Sequence, residues 1–302
     1  MNHVLNSCLV LTVAATAAAA VTPAVASTAT TVFASSVATS SGTVSNAAGA
    51  VGSFATSEGG YAIDPFYPPY PQTSNPAVLA TVGGGSTTSA SSLTLKFAQP
   101  FAVGTSSYLG VYSSVGLINT QTTPGDQPQA ATGTTPGQLE LSTPSEAIVS
   151  VSADGTHFVA LNGGSPIAFD IPTNAYTTVD DTVVSSGGYT FVSPQPAASG
   201  QTPVLASPTP FFGSLSSFSG ETESQILSQL NGTAGGTWIN VSGAGLSSIQ
   251  FVEFTVPAGD TALINAAALN GPASTAVPEP GAAALLCLAP AGWLLRHRKW
   301  RS

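Results

Sequence analysis

The chain has 302 residues, of which 6% are charged, against about a quarter in an ordinary soluble domain. Five Lys and Arg stand against fourteen Asp and Glu, for a formal net charge of −9, and four of those cations fall in the last seven residues. Lys96 is the fifth, so no basic surface can form on the body. This excludes nucleic-acid binding, which needs clustered cations to displace counterions from phosphates. No P-loop or Arg clamp is available for a phosphate-gripping enzyme either.

From the N-terminus, residues 1–26 have the plan of a secretory signal helix. An apolar run from Cys8 to Val21 is followed by Thr22-Pro23-Ala24-Val25-Ala26, and Ala24 and Ala26 supply the small residues that signal peptidase requires. Export through the Sec machinery and cleavage after Ala26 are therefore expected. Residues 27–59, rich in Ser, Thr, Ala and Val without clear alternation, read as a flexible spacer with room for one strand. The aromatic and proline run Asp64 to Pro71 suits an extended arm packed along the domain, or a partner-docking segment.

Strand signals then recur between turns. In Leu93-Thr94-Leu95-Lys96-Phe97 the apolar residues alternate, which puts Lys96 on the outer face. Tyr108 to Tyr112, Val115 to Ile118, Ala147 to Ser152 and Thr156 to Leu161 follow, the last two flanking an Asp154-Gly155 hairpin turn. Segments 122–138 and 193–210, rich in Pro, read as loops. Further strands are expected at Ile167 to Ile171, Thr177 to Val184 and Tyr189 to Val192. A short helix is expected over Glu221 to Leu230, with acids in its first turn and Asn231-Gly232 closing it. The strands Thr237 to Val241, Ser248 to Val256 and Asp260 to Ile264 complete the series, and 266–276 reads as a small-residue linker. About ten short strands with scarcely any helix predict an all-β fold, a single β-sandwich or jelly roll over residues 60–265.

The C-terminal segment 277–302 carries the most specific pattern. Pro278-Glu279-Pro280 leads into an apolar run that starts at Gly281, includes Leu285, Leu286, Leu288 and Trp293, and ends at Leu294 and Leu295. Arg296, Arg298, Lys299 and Arg301 follow at once. An apolar segment backed by cations is a stop-transfer element whose charges stay in the cytoplasm. A helix over residues 282–295 is about 21 Å long, short of the roughly 30 Å hydrocarbon core. A transient hold on the inner membrane suits that length better than a permanent transmembrane helix. Both cysteines, Cys8 and Cys287, sit in the terminal segments, so the processed chain has no disulfide and no thiolate.

The Pro278-Glu279-Pro280 triplet, short apolar helix and Arg-rich end together resemble the PEP-CTERM sorting signal of bacterial exported proteins. The resemblance implies recognition and cleavage near the triplet by an exosortase, and a host that makes exopolysaccharide. Pro290 inside the apolar run departs from the pattern. The body is similar to PEP-CTERM cell-surface proteins with a galactose-binding-like or jelly-roll sandwich. The resembling stretches are Leu93-x-Leu95-x-Phe97 with Pro100-Phe101, Val149 to Phe158, and Thr237 to Phe254. What this implies is a non-enzymatic structural or adhesive protein of the cell surface or matrix, needing no cofactor. A carbohydrate-binding module for exopolysaccharide is the alternative.

Few residues suggest chemistry. His157 is the only histidine of residues 27–276, with no acid paired to it by motif, and G-x-S-x-G is absent. Asp154 and Asp180-Asp181 are candidate calcium ligands without an EF-hand or RTX spacing. Glu140, Glu146, Glu221 and Glu253 offer carboxylates for glycoside hydrolysis, but no spacing singles out a pair. Trp238, flanked by a Gly pair, suits two roles: an anchor in the core, or a platform that stacks on a sugar ring. Residues 27–276 hold thirteen acids against Lys96 alone, so the exported body has a formal charge of −12.

Overall fold

The structure, a computed structural model, describes residues 29–58, 61–65, 69, 78–85, 87–119, 139–141, 145–178, 180–186, 189–195, 201–218, 221 and 223–272. The expected signal segment 1–26, the sorting segment 277–302 and the loop at 122–138 lie outside these residues. No helix among the described residues is long and apolar enough to cross a membrane.

The strands run in chain order as β1 (Ala29–Ser41), β2 (Val44–Ser45), β3 (Ser57–Glu58), β4 (Tyr61–Ala62), β5 (Ala80–Gly83) and β6 (Ser91–Ala102). Next come β7 (Tyr108–Ser113), β8 (Leu117–Asn119), β9 (Leu139–Leu141), β10 (Glu146–Ser152), β11 (Val159–Ala160) and β12 (Ile167–Ala168). The series ends with β13 (Asp180–Ser186), β14 (Tyr189–Gln195), β15 (Thr237–Asn240), β16 (Ser248–Val256) and β17 (Thr261–Pro272). Among the described residues one α-helix, α1 (Glu223–Leu230), interrupts them. The fold is all-β and antiparallel.

Eleven strands form one hydrogen-bonded sheet along the path β11-β10-β16-β6-β1-β17-β5-β2, with β12 on β10, β7 on β17 and β15 on β7. β1 is the hinge of this path. Its first part pairs with β17, Ala29 opposite Pro272 through Phe33 opposite Ala268. From Ala34 onward it pairs with β6, with two register shifts. The chain thus crosses from one half of the sheet to the other within a single strand, and bulges supply the bend.

Both halves send side chains into one core. Leu93, Leu95 and Phe97 of β6, Val149 and Val151 of β10, and Val252, Phe254 and Val256 of β16 come from one half. Leu109 and Val111 of β7, with Ile264 and Leu269 of β17, come from the other. Each such side chain, fully withdrawn from water, contributes about 1.5–3 kcal/mol. Lys96 lies between Leu95 and Phe97 on the opposite face, as the alternation predicts. On β16 the alternation breaks once. Ile249 and Val252 are both buried because the register with β6 shifts between Ile249 and Phe251.

The β17 half is covered on its second face as well. Phe54, Ile63, Ala175, Ala206 and Ala234, all from connecting segments, pack with Tyr112, Ala266 and Ala268. A satellite cluster joins Ile226 and Leu230 of α1 to Leu117, Ile171 and Phe218. Asn231 and Gly232 take positive φ and end the helix as expected.

Three sequence expectations are corrected. Residues 29–58 hold more than the one strand expected of a flexible spacer: β1 hydrogen-bonds to both halves of the sheet, and its many Ser and Thr reflect an exposed strand with a partner on one edge at a time. Residues 266–272 are not linker, and the domain does not end at 265. They continue β17, and Ala266 to Ala268 are small because that strand is sandwiched between two layers. The hairpin at Asp154-Gly155 exists, with Ser150 opposite Ala160, but its connection spans residues 153–158 instead of two.

Candidate functional site

Polar side chains of β1, β6, β16 and β10 line up in two rows across the sheet. Cross-strand register lines up Ser36, Lys96, Phe251 and Ser152 in one row, and Thr39, Thr94, Glu253 and Ser150 in the next. The Lys96 ammonium stands 5.6 Å from the centre of the Phe251 ring. That separation is within reach of a cation–π attraction. The Thr94 hydroxyl donates to Glu253 at 3.3 Å. Gly155 closes the other side of Phe251, where an added Cβ would come within 3.1 Å of the ring. The result is a Ser/Thr-rich patch in which Thr94, Ser150 and Ser152 are buried while Lys96, Phe251 and Glu253 are partly exposed.

The turn beside this patch is organised by a single carboxylate. Asp154 Oδ1 accepts the backbone N–H groups of Thr156 and His157, each at 2.8 Å, and the Ser152 hydroxyl at 3.1 Å. Its Oδ2 meets His157 Nδ1 at 2.7 Å. Ser152 Oγ in turn accepts the N–H groups of Asp154 and Gly155. His157 therefore does have an acid partner, although motif reading finds none, because the turn folds the chain back by three residues. The N–H of His157 foremost, then its ring and the N–H of Thr156, hold the Asp154 carboxyl well below the usual carboxylate range. A carboxylate engaged this way fixes the backbone, and its accepting positions are taken.

A pH dependence follows. A folded-state pKa below the unfolded value of about 3.9 gives stability that is complete above that value and declines as the pH falls through and below it. Asp154→Ala therefore destabilises the protein at neutral pH, and its deficit against wild type shrinks below about pH 4. Paired urea melts at several pH values check this, and a deficit unchanged down to pH about 2 would refute the assignment.

The remaining candidates are dispersed. Asp180 and Asp181 lie at successive positions of β13, opposite Gln195 and Pro194. Glu253 sits opposite Ser150, four residues from Glu146 along β10, or about 13 Å of strand. The structure does not bring these two acids to the spacing a glycosidase pair needs. Glu221 precedes α1, and Glu140 lies in β9. No group of three or more His, Cys, Asp or Glu side chains gathers among the described residues.

Trp238 packs, partly buried, against the layer that covers the second face of β17. Its indole N–H donates to Gly235 O at 2.9 Å, and its ring meets Tyr112 edge to face at 6.1 Å. The six-membered ring covers Gly110 so closely that a Cβ there would lie 2.7 Å from it. Tyr112 beneath is fully buried, its hydroxyl has no partner among the described residues, and burial pushes the phenol well above its ordinary range. Sequence reading finds Trp238 but misses Gly110, whose meaning depends on the register Gly110–Trp238 between β7 and β15. Trp238→Ala is expected to lower the unfolding free energy by about 2 kcal/mol, less than a fully buried Trp because this ring is half-buried. Urea denaturation followed by circular dichroism reads this loss, and unchanged stability would reopen the stacking role.

Comparison of the chain with protein-family models, with curated proteins and with solved structures finds no match.

Proposed function

We propose that this chain is an exported bacterial envelope or matrix protein, sorted by an exosortase through residues 277–302. Its all-β body would serve a structural or adhesive role outside the inner membrane, and its two packed halves are read as the layers of a jelly-roll sandwich. The observation that carries the reading is the order Pro278-Glu279-Pro280, apolar run, cation cluster, at the end of a chain whose body is otherwise acidic. Position in the fold supports it. Ala29 and Pro272 face each other in the ladder between β1 and β17, so the signal and sorting segments leave the body from one place. Cleavage near residues 26 and 280 then removes chain on either side of that ladder and cuts none of its hydrogen bonds.

Mass spectrometry of the protein recovered from medium and membrane fractions tests the proposal. The released form is expected to begin at Ser27 and to end near Pro280, without Arg296 to Ser302. If every fraction retains Arg296 to Ser302, the sorting reading fails.

A further inference from the structure

The three exposed large apolar side chains among the described residues, Val204, Leu205 and Phe212, all lie on one nine-residue segment. Phe212 is 68% exposed and rests against Tyr108, with ring centroids 4.9 Å apart. This segment is tied to the place where the chain termini leave the sheet. The Thr31 hydroxyl donates to Pro208 O at 2.9 Å and accepts from the Asn270 amide at 2.7 Å. Asn270 is also the cross-strand partner of Tyr108, two residues before Pro272. Phe212 and Tyr108 therefore flank the exit of the segment that leads to residues 281–295.

Charge marks the same end. The parts that build it, 29–33, 101–108, 204–212 and 268–272, fall inside stretches 27–57, 97–125, 182–220 and 261–278, none of which contains an Asp, Glu, Lys or Arg. All thirteen acids of the body lie outside those stretches. An acidic body is repelled by an anionic lipid surface, and the stretches that build this end bring no acid to it. From Pro272 to Gly281 the chain spans nine residues, about 30 Å when fully extended. A body of this size has a radius of gyration near 18 Å. The leash is too short for the opposite end to face the bilayer freely.

We infer that the Tyr108–Phe212 end is a lipid-docking surface: while the apolar run holds the chain, Phe212 enters the headgroup–acyl boundary, and Val204 and Leu205 of the same segment add exposed apolar surface. The occupant is the bilayer itself. The Phe212 ring buries apolar surface there as the apolar face of an interfacial segment does, and the Tyr108 hydroxyl beside it suits the polar rim. The inference rests on the anchor reading of residues 281–295.

The test uses the full chain reconstituted in vesicles of phosphatidylethanolamine and phosphatidylglycerol that contain a diazirine-bearing phospholipid. After irradiation, adducts are mapped by mass spectrometry. Adducts are expected on 281–295 and on 203–213, the latter about tenfold above the 248–256 peptide of β16. Phe212→Ser, at an exposed site that leaves the core intact, is expected to return 203–213 to the level of that β16 peptide. Adducts on 281–295 alone would overturn docking while leaving the anchor reading in place. Absence from both would overturn the two together, and equal labelling of all peptides would overturn docking.

Discussion

Asn265→Ala is expected to lower the unfolding free energy by about 3 kcal/mol, seen as a lower urea midpoint with an unchanged slope. Asn265 is 1% exposed and occupies the point on β17 where one edge passes from β5 to β1. Thr261 to Ile264 pair with β5, and the ladder with β1 covers Ala268 to Pro272. Between them no strand backbone is in place, and the side-chain amide supplies the missing contacts. Its Oδ1 accepts the N–H of Ala55 at 2.7 Å, and its Nδ2 donates to Val78 O at 2.6 Å. Alanine leaves a donor and an acceptor buried without partners, at about 1–3 kcal/mol each. Asn265→Asp is no rescue, because a carboxylate would face the Val78 carbonyl with no hydrogen to donate. A loss under about 1 kcal/mol for the alanine variant would show that the backbone of 55 and 78 finds other partners.

Asn265 also shows where sequence legibility stops. Elements whose apolar residues face one core on one side were readable. The Leu93-Leu95-Phe97 alternation places β6 and turns Lys96 outward. Ser248 to Val256 has the bounds expected, and α1 ends at its Asn-Gly pair. The two strands that organise the sheet were legible only in part, for opposite reasons. β1 changes partner at Phe33/Ala34 and is exposed along much of its length, so its composition is Ser and Thr without period. β17 is covered on both faces, so Ala266 to Ala268 and Gly271 carry no alternation to detect. Small residues there are what allow Phe33, Tyr112 and Trp238 to pack over the sheet, which only the cross-strand register reveals. The polar groups were partly visible. Asp154 was marked by its Asp-Gly pair, whereas its bond to His157 needed the actual turn.

Gly235→Ala is expected to be the most damaging single-methyl change, costing about 3–5 kcal/mol. Gly235 has φ +64°, a left-handed conformation in which a Cβ is already unfavourable by about 1–2 kcal/mol. That Cβ would also stand 2.2 Å from Pro172 O, a backbone atom that cannot rotate aside. Its displacement spreads through three connections. Pro172 O accepts the N–H of Gly236, Thr173 bridges to Gly235, and the Gly235 carbonyl holds the Trp238 indole. Moving Gly235 therefore loosens Trp238 from Gly110 and Tyr112, and uncovers the second face of β17 at once. Gly232→Ala is the control: φ is +74°, but the nearest atom to its Cβ is a Thr177 methyl at 3.7 Å, so only the conformational cost of about 1–2 kcal/mol remains. Thermal melts of the two variants separate the contributions. Equal destabilisation would mean that the close approach of Gly235 to Pro172 contributes nothing, and that the fold of the Trp238 layer is set elsewhere. A larger loss at Gly235, together with a red-shifted emission in a chain cut at Pro280, where Trp238 is the one tryptophan, would locate the hinge of that layer at the Gly235–Pro172 contact.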